Sequence, residues 1–462
     1  MAARLLGAAE RGINFGISAP PAASALPALG VTSADLLAAV PAHGYDPAGL
    51  VVLRAVLAER HSAAGLPTTT DQITVTHGAQ HAIDLALAIL CEPGDAVAVE
   101  DPTYPGVLDV IAARRLRAIP LAGDARGPTA AVLESAARDH GARLAFLLPA
   151  VHNPTGRVLD PGRRQALARA LDKLEMTVVE DNTLADLTYD DQPSTPRRTG
   201  SPSSRLGAES HSVAAGRAAH PGRNRPAGEV GTPTPSGTGS SSAPSGTGSS
   251  SAPGANERRA TAPGQTVVAD GRYGPRRSGP AERPASMAAL CRRAVVVTVE
   301  TTSKVAWGGL RIGWMRAPAG VIERSVQLRT SGDLGCSVPA QLLALQLLEH
   351  YDELIAARRA ALRQSAARFA ALLVDAIPGC SFDHPAGGLS VWVRLPDGAD
   401  AAAFASRALR HGVSVAPGQF ASPTGGHDHL RLCHDRPDEE LVEGTARLAA
   451  AWSETTLPRI LP

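Results

Sequence analysis

The capacity for covalent chemistry in this chain converges on one lysine. Of its 45 basic residues only two are lysine, Lys173 and Lys304, so wherever plain positive charge suffices the chain uses arginine. A guanidinium stays protonated, whereas a lysine amine in a desolvated site loses its proton and attacks a carbonyl to form a Schiff base. Lys173 sits in a polar, helical stretch after Pro161 and reads as a solvated cation. Lys304 follows an apolar run, Ala294 to Val299, that reads as a buried strand, and it precedes Gly308-Gly309 and Arg311. It is the candidate nucleophile.

The elements that must position it alternate. Gly49 to Ala64 has apolar residues at helical spacing, then Ile73 to Thr76 reads as strand, His77 to Gln80 as turn and His81 to Cys91 as helix. Strands are expected at Ala96 to Glu100, Leu116 to Leu121, Arg143 to Leu148 and Thr177 to Glu180, with helices after Pro105, from Thr129 and after Pro161. This alternation argues for an α/β domain with a mostly parallel central sheet and helices on both faces. In such sheets ligand chemistry gathers at the carboxyl ends of the strands. Four polar segments fall there: Asp101 to Gly106 with Tyr104, His152 to Gly156 with Asn153, Asp181-Asn182-Thr183, and Lys304. Asn-Pro, Asp-Pro and an acid after a strand are also ordinary turn and cap chemistry. Free amides at a helix start near Gly78-Ala79-Gln80 would make an anion site, although a glycine in such a turn is more often there for the backbone alone.

Composition bounds the rest. With 462 residues there is room for two domains of roughly 100 to 200 residues each, and a net charge of +1 gives no general pull toward nucleic acid or an anionic membrane. Five scattered cysteines, at 91, 291, 336, 380 and 433, form no C-x-x-C pair, so neither a disulfide frame nor a zinc site is expected. No run approaches the roughly 18 apolar residues of a membrane span and Met1 to Gly16 does not read as a signal peptide, which leaves the cytoplasm as the default.

One segment breaks the composition. Residues 192–286 are Pro, Gly, Ser, Thr, Ala and Arg, with the unit SGTGSSSAP twice in tandem from Ser236 and from Ser245. Such a stretch buries too little apolar surface to offset its ordering entropy, so it is expected to be a disordered, low-complexity insertion. Its twelve arginines against five acids could tether nucleic acid, but only Tyr273 interleaves them, and a solvated loop is the preferred reading. The expected organisation is an N-terminal lead-in at 1–47, a large domain at 48–191 and 287–335, the insertion between its two parts, and a small α+β domain at 336–455. The last has one long helical stretch, Gln341 to Ala376, then strands at Leu389 to Leu395, Val413 to Val415 and Leu430 to Leu432.

The segments GYDPAGL, VTHGAQHAIDLAL, VEDPTYPG, HNPTG, VVEDNTLADL, TSKVAWGGLRIGW and HLRLCHD stand in one order. Together they resemble the fold-type I pyridoxal-phosphate enzymes of the class I/II aminotransferases, and within them the aminotransferase-like domain of the MocR regulators. The resemblance implies that Lys304 holds pyridoxal phosphate as a Schiff base and that Asp181 pairs with the pyridinium nitrogen. A carboxylate there keeps the ring able to accept the electrons left when the substrate Cα–H is lost. It further implies that Asn153 donates to the ring's phenolic oxygen and Tyr104 stacks on its face. Gly78, Ala79, Gln80, Thr301, Ser303 and Arg311 would hold the phosphate, with Tyr45 arriving from the neighbouring subunit of a homodimer. Arg431 would bind the substrate carboxylate; a structural ion pair is the other reading of a partly buried arginine.

Two features depart from the family pattern. Many members place a tyrosine two or three residues after the aspartate, where this chain has Thr183 and Leu184. MocR regulators also carry a winged helix-turn-helix head, whereas the matching segment here starts near Ile13 and no DNA-reading or metal-binding element is visible ahead of it. Three readings follow: an aminotransferase acting between an amino acid and a 2-oxo acid, an effector-sensing domain that binds the cofactor and a small amine, and a decayed gene interrupted between Asp181 and Lys304.

Overall fold

The computed structural model describes residues 12–18, 26–39, 43–189, 198–199 and 283–456. Along them run β1 (Ile13–Asn14), α1 (Ser33–Ala39), α2 (Val51–Ala63), β2 (Ile73–Thr76), α3 (Ala79–Leu90), β3 (Ala96–Asp101), α4 (Pro105–Ala113), β4 (Arg117–Asp124), β5 (Gly127–Pro128), α5 (Ala130–His140), β6 (Leu144–Leu147), α6 (Pro161–Leu174), β7 (Thr177–Asp181) and β8 (Arg198–Thr199). After the insertion come α7 (Met287–Leu290), β9 (Val296–Thr301), β10 (Gly313–Arg316), α8 (Ala319–Gly332), α9 (Val338–Glu349), α10 (Tyr351–Ala376), β11 (Phe382–Asp383) and β12 (Ser390–Arg394). The chain closes with α11 (Ala401–Arg410), β13 (Val413–Ser414), β14 (Ala416–Pro417), β15 (His429–Cys433) and α12 (Asp438–Thr456).

Eight strands form the central sheet in the order β2-β10-β9-β7-β6-β3-β4-β5. β9, β7, β6, β3 and β4 are parallel neighbours, and β10 runs antiparallel to both β9 and β2. β2 therefore points the same way as the parallel strands. Alternation along the strands feeds two cores. Val97, Val99, Val297 and Val299 pack with Ile83, Leu87 and Val110 of α3 and α4. Ala96, Ala98 and Val296 pack on the other face with Leu133, Leu167 and Leu171 of α5 and α6. Because β2, β3, β6, β7 and β9 share a direction, the segments after them meet along one edge, as the alternation predicted.

The C-terminal part has a three-stranded antiparallel sheet, β12-β15-β14, with α11 and α12 on a core around Phe404, Leu430, Leu432 and Trp452. Three expectations need correction here. The helical stretch from Gln341 is two helices, α9 and α10, separated at His350, with no glycine or proline marking the break. α9 and the first half of α10 (Leu342, Leu345, Leu354, Leu362) pack with Leu53, Ile73, Val75 and Trp314 of the large part, and only from Phe369 does α10 enter the C-terminal core. A boundary at 336 is therefore about 30 residues early, since a long amphipathic helix serves two cores in turn. The lead-in is not separate either: β1 pairs in parallel with β13, and Phe15 is fully buried against Phe369 at a ring separation of 5.0 Å.

The insertion ends sooner than composition suggested. Arg283 Nη2 lies 2.9 Å from Glu300 Oε1 and its Nε 3.3 Å from Asp186 Oδ1. Arg164 donates to the Ala285 carbonyl at 2.8 Å, and the Ser286 hydroxyl and Met287 amide donate to Glu180 at 2.5 and 2.8 Å. Pro, Ala and Ser at 284–286 look like linker, yet buried partners on β7 and α6 hold them. Near the other end, Arg198-Thr199 pair with Asp383-Phe382. Residues 200–282, which carry the tandem repeat, lie outside the described residues.

Candidate active site

The site is built at the sheet edge where β2, β3, β6, β7 and β9 end. After β9 the chain turns sharply: the Thr302 amide and the hydroxyls of Thr301 and Thr302 all donate to the Ile312 carbonyl, at 3.2, 2.9 and 3.2 Å. The Thr301 and Ser303 hydroxyls are 2.9 Å apart. This turn points Lys304 into a cavity of about 210 Å³ that Ala79, Tyr104, Asn153, Asp181, Thr183 and Arg431 also line. Lys304 Nζ donates to the Ser18 carbonyl at 2.5 Å. Burial pulls its pKa below the ordinary lysine range, against the attraction of Asp435 and Asp181.

Asp181 closes β7 and is buried, and burial raises its pKa; Thr183 opposes that shift, its amide donating to Oδ1 at 3.0 Å. Asn153 stands on a turn fixed by His152, whose Nδ1 is 2.7 Å from the Thr155 hydroxyl and whose Nε2 is 3.0 Å from the Pro102 carbonyl. Asn153 Oδ1 is buried with no hydrogen-bond partner. The Tyr104 hydroxyl donates to Gln80 Oε1 at 2.8 Å while Gln80 Nε2 donates to the Gly106 carbonyl at 2.9 Å, and burial pushes the Tyr104 pKa up to about 12. A β-carbon on Gly106 would lie 2.4 Å from the Tyr104 ring, so glycine is required for that contact. Leu184 lines the same cavity and belongs to the large-part core. No phenol stands at either departure position.

Gly78, Gln80, Thr301, Ser303 and Arg311 are not among the residues that line the cavity; Gly78 and Gln80 flank Ala79, and Ser303 precedes Lys304, both of which do. Gly78 has φ 86° and ψ 174°, a combination open essentially to glycine alone, and it caps α3. Arg311 Nη2 donates to the His77 carbonyl at 2.6 Å. Tyr45 is not brought to these residues within one chain; it is 63% exposed, beside the Asp46–Gly335 bridge.

Arg431 sits mid-strand on β15, and Nη2 donates to the Gly16 carbonyl at 2.5 Å. Its Nε is buried without a partner, and among the described residues no carboxylate pairs with it. The ion-pair reading is not realised. Sequence reasoning missed Gly16, Ile17 and Ser18, which line the cavity, and Asp435, a charged neighbour of Lys304. Continuing the alternation of β15 past Arg431 by two and four residues would have found Asp435.

The site fits pyridoxal phosphate. It offers a desolvated amine, an amide at Asn153 whose nitrogen can donate to a phenolic oxygen, a carboxylate at a strand end, and a helix amino end whose glycine leaves room for Arg311. Outside it, Asp333 Oδ2 lies 3.2 Å from His77 Nε2 and 3.5 Å from His81 Nε2. The His77 amide donates to His81 Nδ1 at 3.1 Å, so neutral His81 carries its proton on Nε2, facing the carboxylate; the ring is set for a hydrogen bond, not for a metal ion. A larger cavity of about 620 Å³ is lined by Asp101 and Pro102 among others; of its charged residues Arg157 pairs with Glu100 across the lining, and Asp124 pairs with Arg163 outside it.

The profile of the family described as aminotransferase class I and II matches residues 10–213 and 264–448. The chain is 24% identical over 381 residues to the uncharacterized HTH-type transcriptional regulator YdcR of Escherichia coli, covering 81% of this chain and 62% of that one. It thus spans about three fifths of that regulator's length. It is also 24% identical over 415 residues to 2-aminoadipate transaminase of Thermus thermophilus, covering 89% and 80% of the two chains. Among solved structures, LysN, the α-aminoadipate aminotransferase of Thermus thermophilus complexed with N-(5'-phosphopyridoxyl)-L-leucine, shares the fold with a TM-score of 0.69 at 21% identity, over 98% of this chain and 94% of that one.

Proposed function

The chain belongs to the class I and II aminotransferases, and from that premise we propose that it is a pyridoxal-phosphate-dependent transaminase working between an amino acid and a 2-oxo acid. The observation that carries this reading is the convergence of Lys304, Asp181, Asn153, Tyr104 and Arg431 on one cavity. Bound there, pyridoxal phosphate supplies an electron-poor ring that takes up the electron pair left when the substrate Cα–H is broken.

The chain's own residues do the rest. Asp181 would hold the ring nitrogen, Asn153 the phenolic oxygen and Tyr104 the ring face. The Gly78-Ala79-Gln80 amides at the start of α3, with Thr301, Ser303 and Arg311, would hold the phosphate. Arg431 receives the substrate carboxylate; its unpartnered Nε is available, and Nη2 exchanges the Gly16 carbonyl for a carboxylate oxygen. Lys304 Nζ takes the proton from the substrate Cα, a role that burial supports by favouring the neutral amine. Thr183 steadies Asp181 but offers no phenol to the ring.

We place the protein as a homodimer, with the exposed Tyr45 reaching the partner's phosphate site. No helix among the described residues is long and apolar enough to cross a membrane, and we propose the cytoplasm as its location. A second reading, an effector-sensing domain, is favoured by the similarity to regulators and by Thr183 and Leu184 in place of a phenol.

The test is an absorbance spectrum of the protein with pyridoxal phosphate, before and after a panel of amino acids, beside Lys304→Ala. The transaminase is expected to show a lysine-linked band that the variant lacks, and conversion to pyridoxamine phosphate with release of a 2-oxo acid. A band that shifts with an amine but never turns over selects the sensor. No band in the wild-type protein overturns both.

A further inference from the structure

β15 carries more toward Lys304 than Arg431. Side chains alternate along a strand, and Leu430 and Leu432 are fully buried in the C-terminal core. Arg431, Cys433 and, two residues past the strand end, Asp435 therefore take the opposite face; Arg431 lines the cavity, and Arg436, next to Asp435, donates to the Ile17 carbonyl beside the Ser18 carbonyl that accepts from Lys304. The charges around Lys304 agree with this register, since Asp435, Cys433 and Arg431 are all electrostatic neighbours of its amine, together with Asp181.

The Asp435 side chain is fully buried, and its two oxygens differ. Oδ1 accepts from Arg436 Nη1 at 3.0 Å, whereas Oδ2 has no hydrogen-bond partner. A buried carboxylate oxygen without a donor is costly unless a cation or donor reaches it during function. The charged groups whose fields act on Asp435 are Arg436, Lys304 and Arg358, of which Arg436 is in contact. Arg436 is engaged elsewhere as well, with the Asn14 and Ile17 carbonyls at 2.9 Å each. Under the proposed function Asp181 serves the cofactor ring. Of the two carboxylates near Lys304, that leaves Asp435 for the lysine nitrogen.

We infer that Asp435 is a positioning residue for Lys304, a second carboxylate that balances the lysine nitrogen whenever that nitrogen is protonated. The inference rests on the transaminase reading. It also separates Asp435 from a purely structural role, in which it would only orient Arg436 against the N-terminal segment.

The experiment is a pH titration of the lysine-linked chromophore in cofactor-loaded wild type, D435N, D435E and R436Q. Removing a nearby negative charge disfavours the protonated nitrogen, so D435N is expected to lower the midpoint by about one pH unit or more. D435E should stay close to wild type, and R436Q, which removes a cation, should move the midpoint upward. A folded, loaded D435N with an unchanged midpoint overturns the inference, as does an R436Q shift in the same direction as D435N. If D435N fails to fold, the sign of the R436Q shift decides. A wild-type protein without the chromophore overturns the transaminase reading itself and the inference with it.

Discussion

Arg311 is packed against the backbone of Gly78: its Nη2 lies 2.7 Å from the point a β-carbon on that glycine would occupy, while donating to the neighbouring His77 carbonyl at 2.6 Å. The arginine can approach the start of α3 because residue 78 has no side chain and adopts φ 86°. Gly78→Ala is therefore expected to displace Arg311 or strain the turn, at about 1–3 kcal/mol. Pyridoxal phosphate should bind roughly tenfold more weakly or worse, read by titrating the chromophore; unchanged affinity would remove Gly78 from the phosphate site.

Arg431→Gln tests the substrate end. Loss of a charge-assisted contact of about 1.5–3 kcal/mol should raise KM for the amino acid roughly ten- to hundredfold. Cofactor affinity should stay near that of wild type, because no cofactor-holding role falls on Arg431. Equal losses in both would point to a structural role.

Arg283→Ala tests the return of the chain from the insertion. The substitution leaves Glu300 and Asp186 without their shared cation in a mostly buried place, and a loss of about 3–5 kcal/mol is expected in urea unfolding. Pairing it with Glu300→Gln should recover part of that loss. Replacing residues 200–282 by a Gly/Ser linker long enough to join the ends should preserve the chromophore, since loop closure depends weakly on length. A deletion running through Pro284 would remove Arg283 and is expected to fail.

Acid sensitivity has a nameable source. His434 is buried between the Ser365 hydroxyl, 2.9 Å from Nδ1, and the Tyr189 hydroxyl, 3.4 Å from Nε2, and burial pushes its pKa down to about 3. The unfolded chain takes up this proton near pH 6.5 and the folded chain only near 3, so stability falls as pH drops through that window, by up to about 1.4 kcal/mol per pH unit. Asp435, pushed up to about 6, acts oppositely, because the folded state protonates it first. Comparing urea midpoints of wild type and His434→Gln between about pH 7 and pH 4 isolates the histidine. The variant should show the shallower acid slope, and parallel slopes would refute the assignment.

How much was legible in the sequence follows from range. Runs such as Val97 to Val99 and Val296 to Val299 alternate between two cores, so the strands and their shared edge could be read from local pattern. Lys304 stood out because lysine is nearly absent, and Asp181, Asn153 and Tyr104 stood out by ending strands. Those are properties of neighbouring residues. The break at His350 carries no local mark, and the order at 283–286 comes from partners on β7, α6 and β9 rather than from its own composition.

By itself the sequence determined the elements, the edge on which the chemistry collects and the one amine suited to it, because hydrophobic period and residue chemistry are written locally. Only the tertiary structure decided that residues 13–18 join the C-terminal part and cover Lys304, that Arg431 meets the Gly16 carbonyl, and that Asp435 comes near enough for its charge to act on the lysine. Each depends on burial and charge between groups more than a hundred residues apart. Whether a buried oxygen finds a donor is settled only when those distant segments pack.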